Sequence, residues 1–234
     1  TTTAAAEAIT AARGLPGQVT TLILPADVSW GEGGKPCAAP TQPQAPAAED
    51  SAVKAAAEAI KSGRKTALLL GGRALREPAL LEAARIAAHN GVTLFAETFP
   101  TRIERGAGLP PVERIAYLAE LATLQLSEFD HLILVDAKAP VSFFAYPGKQ
   151  SYLVPDNCTA HTLSTPEQDA TASLKKLADT LGASNAQPKL QAPGRPGLPK
   201  GKLTAEKVCR AVGELMPENS IIVDEAITSG LMLN

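Results

Sequence analysis

The feature that most constrains the fold is an alternation of strand-length apolar runs with helical segments between residues 50 and 183. The run KTALLLGG (Lys65 to Gly72) is apolar over the length of one strand and stops at two glycines. The segment before it, SAVKAAAEAIKSG, has apolar residues at helical spacing. Strands that are apolar throughout are typical of parallel sheets buried on both faces. The pattern therefore predicts an α/β domain, a Rossmann-like parallel sheet with helices on both faces.

The remaining elements of this domain are predicted in chain order. They are the helix PALLEAARIAAHNG, the strand VTLFAE, the helix PVERIAYLAELATLQLSEF, the strands DHLILVDA, SYLVP and TAHTLS, and the helix QDATASLKKLADTLG. Pro78 near the start of the first of these helices and Gly91 after its end are in the usual positions for these residues.

Two stretches rich in Pro and Gly separate this domain from shorter flanking pieces. Residues 35–49 and 184–202 are predicted linkers because they hold few large apolar residues. Residues 1–34 contain a predicted helix and a predicted strand, VTTLILPADV (Val19 to Val28). Residues 203–234 begin with a helix that Thr204 is expected to cap and continue into a strand, Ile221 to Val223. We therefore expect one complete α/β domain at 50–183, flanked by two partial α/β domains.

Composition and charge exclude several classes of function. The 234 residues carry a formal net charge of −2, which offers no electrostatic basis for binding nucleic acid or an anionic membrane. No apolar run approaches membrane-spanning length, and the first residues lack the apolar segment of a secretion signal, so a cytoplasmic location is expected. The three cysteines and three histidines form no metal-binding motif, and we interpret the cysteines as reduced, structural thiols.

The order of these parts resembles the middle of a thiamine-diphosphate-dependent enzyme of the acetolactate synthase and benzoylformate decarboxylase group. Enzymes of that group have a pyrimidine-binding domain, a central domain and a pyrophosphate-binding domain, joined by long linkers. The segment AITAARGLPGQVTTLILPADVSWGE resembles the end of the pyrimidine-binding domain. The segment LTAEKVCRAVGELMPENSIIVDEAITSG resembles the start of the pyrophosphate-binding domain. The resemblance covers the whole chain and implies a 2-oxo-acid carboligase or decarboxylase that is a homodimer or homotetramer at full length.

The resemblance also implies where the cofactor diphosphate lies. The turn after Val223 is similar to the family segment that approaches thiamine diphosphate, with Ile227 offering backbone and Thr228 and Ser229 offering hydroxyl or N–H groups. From spacing alone, these two hydroxyl residues would simply cap the next helix. We expect the acidic residues Asp224 and Glu225 to point away from a diphosphate or to make turn contacts.

Two parts that the family needs are not found in the sequence. One is the glutamate that activates the aminopyrimidine, and the other is the Gly-Asp-Gly motif that holds Mg²⁺ on the diphosphate. The expectation is therefore that this chain is a central piece of a longer enzyme and is inactive by itself.

The central domain is a candidate for a ligand of its own, FAD or an adenine nucleotide. Gly71, Gly72 and Arg73 end a strand where phosphates often bind, although the segment does not match the GxGxxG fingerprint. Asp136 ends another strand and is placed either to reach a ribose hydroxyl or to make a turn. Arg102 and Arg105 follow a third strand, and pairing with nearby glutamates is the simpler interpretation. The aromatic residues Phe143, Phe144 and Tyr146 are assigned first to packing or a domain contact, and second to stacking on a ring of the ligand.

Two functions of different classes remain open from the sequence. In the first, the chain is the scaffold of a thiamine-diphosphate enzyme together with one edge of the diphosphate site. In the alternative, it is an independent α/β module that binds a nucleotide or a flavin.

Overall fold

The computed structural model describes residues 2–226 and 228–233. The chain divides into two compact units. The first unit contains residues 1–105 and 109–190, and the second contains residues 106–108 and 191–234.

The helices and strands follow one another in an α/β order. They are α1 (Thr2–Arg13), α2 (Ala26–Trp30), α3 (Asp50–Lys61), β1 (Thr66–Leu70), α4 (Glu77–Asn90), β2 (Thr93–Ala96), β3 (Glu113–Arg114), α5 (Ala119–Leu126), β4 (His131–Val135), β5 (Thr159–Ser164), α6 (Ala170–Leu181) and α7 (Ala205–Leu215). Short 3-10 turns at Gly72–Leu75 and Ser229–Leu233 complete the set within the described residues.

The five strands form one parallel sheet in the order β3-β2-β1-β4-β5. In the centre of the sheet, Leu68 aligns with Leu94 of β2 on one side and with Ile133 of β4 on the other. All five residues of β1 are buried, as expected for a strand covered on both faces. The prediction of a parallel sheet is therefore confirmed.

Helices cover both faces of the sheet. Alternate residues of each strand point to opposite faces, so each face packs against its own set of helices. One face packs against α3, α4 and α6 through the buried side chains of Leu68, Leu70, Ile133, Val135 and Leu163. The other face packs against α5 through Leu69, Phe95, Leu132 and Leu134. The predicted fold class, a parallel sheet with helices on both faces, is confirmed.

The end of the first predicted linker is anchored to this domain. Ala48 is 2% exposed, and its N–H donates to Ser173 Oγ of α6 at 2.8 Å. Lys176 Nζ donates to the carbonyl of Ala48 at 3.0 Å, and the Asp169 N–H donates to the carbonyl of Pro46. These contacts fix the chain where it enters α3.

The helix predicted from PVERIAYLAELATLQLSEF is wrong in its first half. Glu113 and Arg114 form the edge strand β3, and the helix begins only at Ala119. The N–H of Ile115 donates to the carbonyl of Ala96, and the Ile115 side chain is buried under the sheet. Pairing with β2 and burial of Ile115 therefore outweigh the helical spacing of the sequence.

Three further strand predictions are also wrong. SYLVP contributes only an isolated bridge between Tyr152 and Val141, although Leu153 and Val154 are buried. The segments 19–25 and 221–223 are not strands, and residues 26–28 of the first prediction lie in α2. A strand needs a neighbour to take its N–H and C=O groups, and neither segment pairs with one in the described structure.

The second unit is organised around α7. Thr204 Oγ1 accepts the N–H of Lys207 at 3.3 Å, which confirms the predicted cap. At the other end, the Arg195 guanidinium donates to the carbonyls of Gly213, Glu214 and Met216. The last carbonyls of the helix, which have no partner within the helix, are therefore satisfied by one side chain.

Candidate functional site at the carboxyl ends of the strands

The turn after β1 lies at the topological switch point of the sheet. Strand β1 pairs with β2 on one side and with β4 on the other, and the chain crosses over between them. In sheets of this kind, ligands bind in the crevice outside the carboxyl ends of the two strands at the switch point. Three segments end at this crevice. Strand β1 is followed by Gly71, Gly72 and Arg73, β2 by Glu97, and β4 by Asp136.

Two carboxylates accept hydrogen bonds from backbone N–H groups of the turn after β1. The N–H of Gly72 donates to Glu97 Oε1 at 3.0 Å, and the N–H of Arg73 donates to Asp136 Oδ2 at 2.6 Å. The N–H of Gly71 donates to the carbonyl of Val135 at 3.0 Å. Asp136 thus contacts the turn itself, in agreement with its alternative interpretation as a residue that makes a turn.

The two glycines are required by close packing against Asp136. A Cβ added to Gly71 would lie 2.4 Å from the Asp136 carbonyl oxygen. A Cβ added to Gly72, whose φ is +41°, would lie 2.5 Å from Asp136 Oδ2. Asp136 itself has a φ of 49°, a conformation that Asp tolerates better than most residues. The Gly-Gly pair thus permits a tight contact between the ends of β1 and β4.

Burial raises the pKa of both carboxyl groups at the crevice. Desolvation raises the pKa of Glu97, and the nearby Asp136 charge adds to this, while the hydrogen bond from Gly72 opposes it. Desolvation also raises the pKa of Asp136, while the N–H and the charge of Arg73 lower it and Glu167 raises it. The crevice therefore disfavours additional negative charge.

The other charged candidates lie on the loop after β2. Arg102 Nη2 is 3.5 Å from Glu104 Oε1, as the simpler interpretation predicted. Glu104 Oε2 also accepts the N–H of Glu77 at the start of α4. Burial lowers the pKa of Arg105, and the neighbouring Arg114 contributes. Glu104 thus ties the loop to the start of α4, while the ion pair of Arg102 lies within the loop.

The aromatic cluster comprises Phe99, Tyr117, Phe143, Phe144 and Tyr146. The rings of Tyr117 and Phe143 are stacked with centroids 5.6 Å apart, and Phe99 meets Phe143 edge-on at 4.9 Å. These rings remain between 45% and 62% exposed. They pack on one another and are not part of the buried core.

The turn near the end of the chain is held by Asp224. Asp224 Oδ1 accepts the N–H of Ala226 at 2.9 Å, and a Cβ on Gly230 would lie 2.5 Å from the same oxygen. The acidic side chain is thus folded against its own turn, whereas Thr228 and Ser229 are exposed. Ile227, the third predicted contact, lies outside the described residues.

The histidines and cysteines do not assemble a metal site within the described residues. His131 and His161 on neighbouring strands are half-buried, and their Nδ1 and Nε2 atoms are 3.2 Å apart. Burial and the His131 charge lower the pKa of His161. The three cysteines are free thiols. None of the described helices combines the length and the apolar character needed to cross a membrane.

Comparison with known proteins gives one strong relative by sequence. The chain is 46% identical over 228 residues to "Putative acetolactate synthase large subunit IlvX" of Mycobacterium tuberculosis (strain ATCC 25618 / H37Rv). The alignment covers 97% of this chain and 44% of that protein. No protein-family model matches the sequence.

Solved structures show the same fold at low sequence identity. The thiamine diphosphate-dependent 4-hydroxybenzoylformate decarboxylase of Rhodococcus jostii RHA1 matches with a TM-score of 0.62 and 16% identity, over 83% of this chain and 40% of that one. Benzoylformate decarboxylase from Polynucleobacter necessarius matches with a TM-score of 0.56 and 18% identity, over 92% of this chain and 41% of that one. The chain thus spans less than half of each of these relatives. By sequence the chain is similar to part of a protein described as a putative acetolactate synthase large subunit, and by fold it is similar to parts of these two decarboxylases.

Proposed function

We propose that this chain works within a longer thiamine-diphosphate-dependent enzyme that carboligates or decarboxylates a 2-oxo acid in the manner of acetolactate synthase. The identity of 46% across nearly the whole chain carries this proposal. The parallel-sheet domain then serves as the central scaffold, and the segment around 221–233 contributes one edge of the cofactor site.

Thr228 and Ser229 are the residues that we assign to the cofactor diphosphate, together with the backbone of Ile227. Both hydroxyl side chains are exposed, and the nearby Asp224 carboxylate is engaged by the N–H of Ala226. A hydroxyl that donates to a phosphate oxygen makes a charge-assisted hydrogen bond, which is stronger than a neutral one. This arrangement suits two donors that hold and orient a diphosphate.

The bound cofactor supplies the electron sink that allows a 2-oxo acid to lose carbon dioxide. This chain contributes binding and orientation, because its residues in this segment are hydroxyl donors. We assign the Mg²⁺ ligands and the activating glutamate to parts of the longer protein outside this chain. A cytoplasmic homodimer or homotetramer at full length is part of the same proposal.

The alternative function, an independent module for FAD or an adenine nucleotide, depends on Gly71, Gly72 and Arg73. The amide donors of this turn already have carboxylate or carbonyl partners within the chain. This geometry favours the first function over the alternative.

Titration calorimetry with thiamine diphosphate and Mg²⁺ tests the assignment. The protein to use is this chain extended on both sides to the length of its 46%-identical relative. Replacing Thr228 and Ser229 together with Ala removes two charge-assisted hydrogen bonds of about 1.5–3 kcal/mol each, so affinity should fall by roughly 100-fold or more. The control is Ser220→Ala, because the Ser220 hydroxyl donates only to the carbonyl of Pro217 nearby. Equal affinities of the double variant and the control would show that Thr228 and Ser229 do not hold the diphosphate.

A further inference from the structure

The turn after β1 lies where a phosphate-binding turn would lie, but its backbone N–H groups already have acceptors. Consecutive backbone N–H groups at the end of a parallel strand bind phosphate when they point at the crevice without a partner. Here the N–H groups of Gly71, Gly72 and Arg73 donate to Val135, Glu97 and Asp136. Three successive donors are therefore used within the protein.

The space above the turn is filled as well. A Cβ placed on Gly72 would lie between 2.5 and 3.0 Å from three atoms of the Asp136 carboxylate. A phosphate oxygen that approached the Gly72 backbone would meet the same atoms. Asp136 is only 8% exposed, so its carboxylate belongs to the packed structure and not to a mobile surface side chain.

The charge of this turn also disfavours a bound phosphate. Two carboxylates face this turn, and a phosphate brought to it would add like charge in a partly desolvated place. Displacing either carboxylate would leave a buried or half-buried acid without its backbone donor, which is costly. The carboxylates thus occupy the role that a ligand phosphate has in nucleotide-binding relatives of this fold.

We propose that Glu97 and Asp136 are internal replacements for a ligand phosphate, and that the turn of Gly71, Gly72 and Arg73 binds no FAD or adenine-nucleotide phosphate. The central domain is then closed at its switch point and needs no ligand there to be complete. This inference does not depend on whether the longer protein uses thiamine diphosphate, because it concerns a different turn of the chain.

Amide resonances of Gly72 and Arg73 in the isotope-labelled chain test the proposal. Titration with ADP and then with FAD should leave both amides without saturable shifts at ligand concentrations up to about 1 mM, the range of weak binding. Shifts confined to other residues agree with a closed turn. Saturable shifts of both amides, lost in Arg73→Ala, would overturn the proposal.

A pH titration of the same amides tests the hydrogen bonds directly. In the wild type, both amide protons should shift as Glu97 and Asp136 titrate above the usual carboxyl range. In Glu97→Gln, the Gly72 amide should lose most of this shift while the Arg73 amide keeps it. The Gln side chain still offers an oxygen to Gly72, so the variant keeps the shape of the turn. A Gly72 amide that is insensitive to pH in the wild type would contradict the proposal.

Discussion

Replacing Gly72 with Ala probes the closed turn most sharply. The new Cβ would lie 2.5 Å from Asp136 Oδ2 and 2.8 Å from its Cγ, so the carboxylate must move away. The φ of +41° at this position adds strain for any L-residue, roughly 1–2 kcal/mol. Moving Asp136 also weakens its hydrogen bond from the N–H of Arg73, and a bond to a charged group is worth about 1.5–3 kcal/mol.

The sum of these effects gives an expected loss of roughly 2.5–5 kcal/mol in the free energy of unfolding. Gly91→Ala is the matched control, because Gly91 has a φ of +70° and a Cβ there would meet nothing within 4 Å. The control should therefore cost only the conformational strain, roughly 1–2 kcal/mol.

Urea unfolding followed by circular dichroism measures both variants under one set of conditions. The expected result is that Gly72→Ala loses clearly more stability than Gly91→Ala, with similar slopes for both. Equal losses would refute the reasoning, because they would show that contact with Asp136 adds nothing to the strain. Gly71→Ala separates the two causes further, since its Cβ meets the Asp136 carbonyl at 2.4 Å without a positive φ.

Two further changes test other contacts of the domain. Because burial and the neighbouring His131 lower the pKa of His161, the folded state binds a proton there less readily than the unfolded state. Stability should therefore fall as the pH drops below about 6.5, the ordinary histidine value, and His161→Gln should lose less stability over this range in thermal unfolding. An unchanged pH profile in the variant would contradict this coupling. Ser173→Ala leaves the buried N–H of Ala48 without its acceptor and should cost about 1–3 kcal/mol in urea unfolding, whereas Ser127→Ala, at an exposed hydroxyl with a local bond, should change stability by less than about 0.5 kcal/mol. A similar small effect of both substitutions would show that the linker contact is not stabilising.

Local sequence patterns were sufficient to predict most of the central domain. The apolar runs that became β1, β2, β4 and β5 are bounded by glycines, polar residues and helix caps, which are local signals. The cap at Asp169 and the left-handed Gly182 after α6 follow the same rules. The strands were predicted to be parallel because the connections between them are long enough for helices.

The failures have a common physical cause, which is dependence on partners distant in the chain. Residues 113–115 pair with β2, so the helical spacing of this segment does not lead to a helix there. Residues 19–24 and 221–223 have the composition of strands, but composition supplies no neighbouring strand. Strand propensity is therefore realised only where the sheet offers a pairing edge.

The sequence singled out the Gly-Gly pair that ends a strand, and the structure places this pair at the switch point of the sheet. The contacts of the pair were not predicted. The acceptors of its amides lie 25 and 63 residues away, at Glu97 and Asp136, and local spacing gives no sign of such pairings. The available signal was that each of these acids lies at the end of a predicted strand, since the ends of parallel strands meet at one edge of the sheet.

The central claim is that this chain supplies the scaffold and one edge of a thiamine-diphosphate site whose other parts lie outside it. The most direct measurement is the consumption of pyruvate with thiamine diphosphate and Mg²⁺, compared between the purified chain and the chain extended on both sides to the length of its relative. We predict cofactor-dependent turnover by the extended protein and none by the 234-residue chain. Turnover by the chain alone that requires both thiamine diphosphate and Mg²⁺ would contradict the claim.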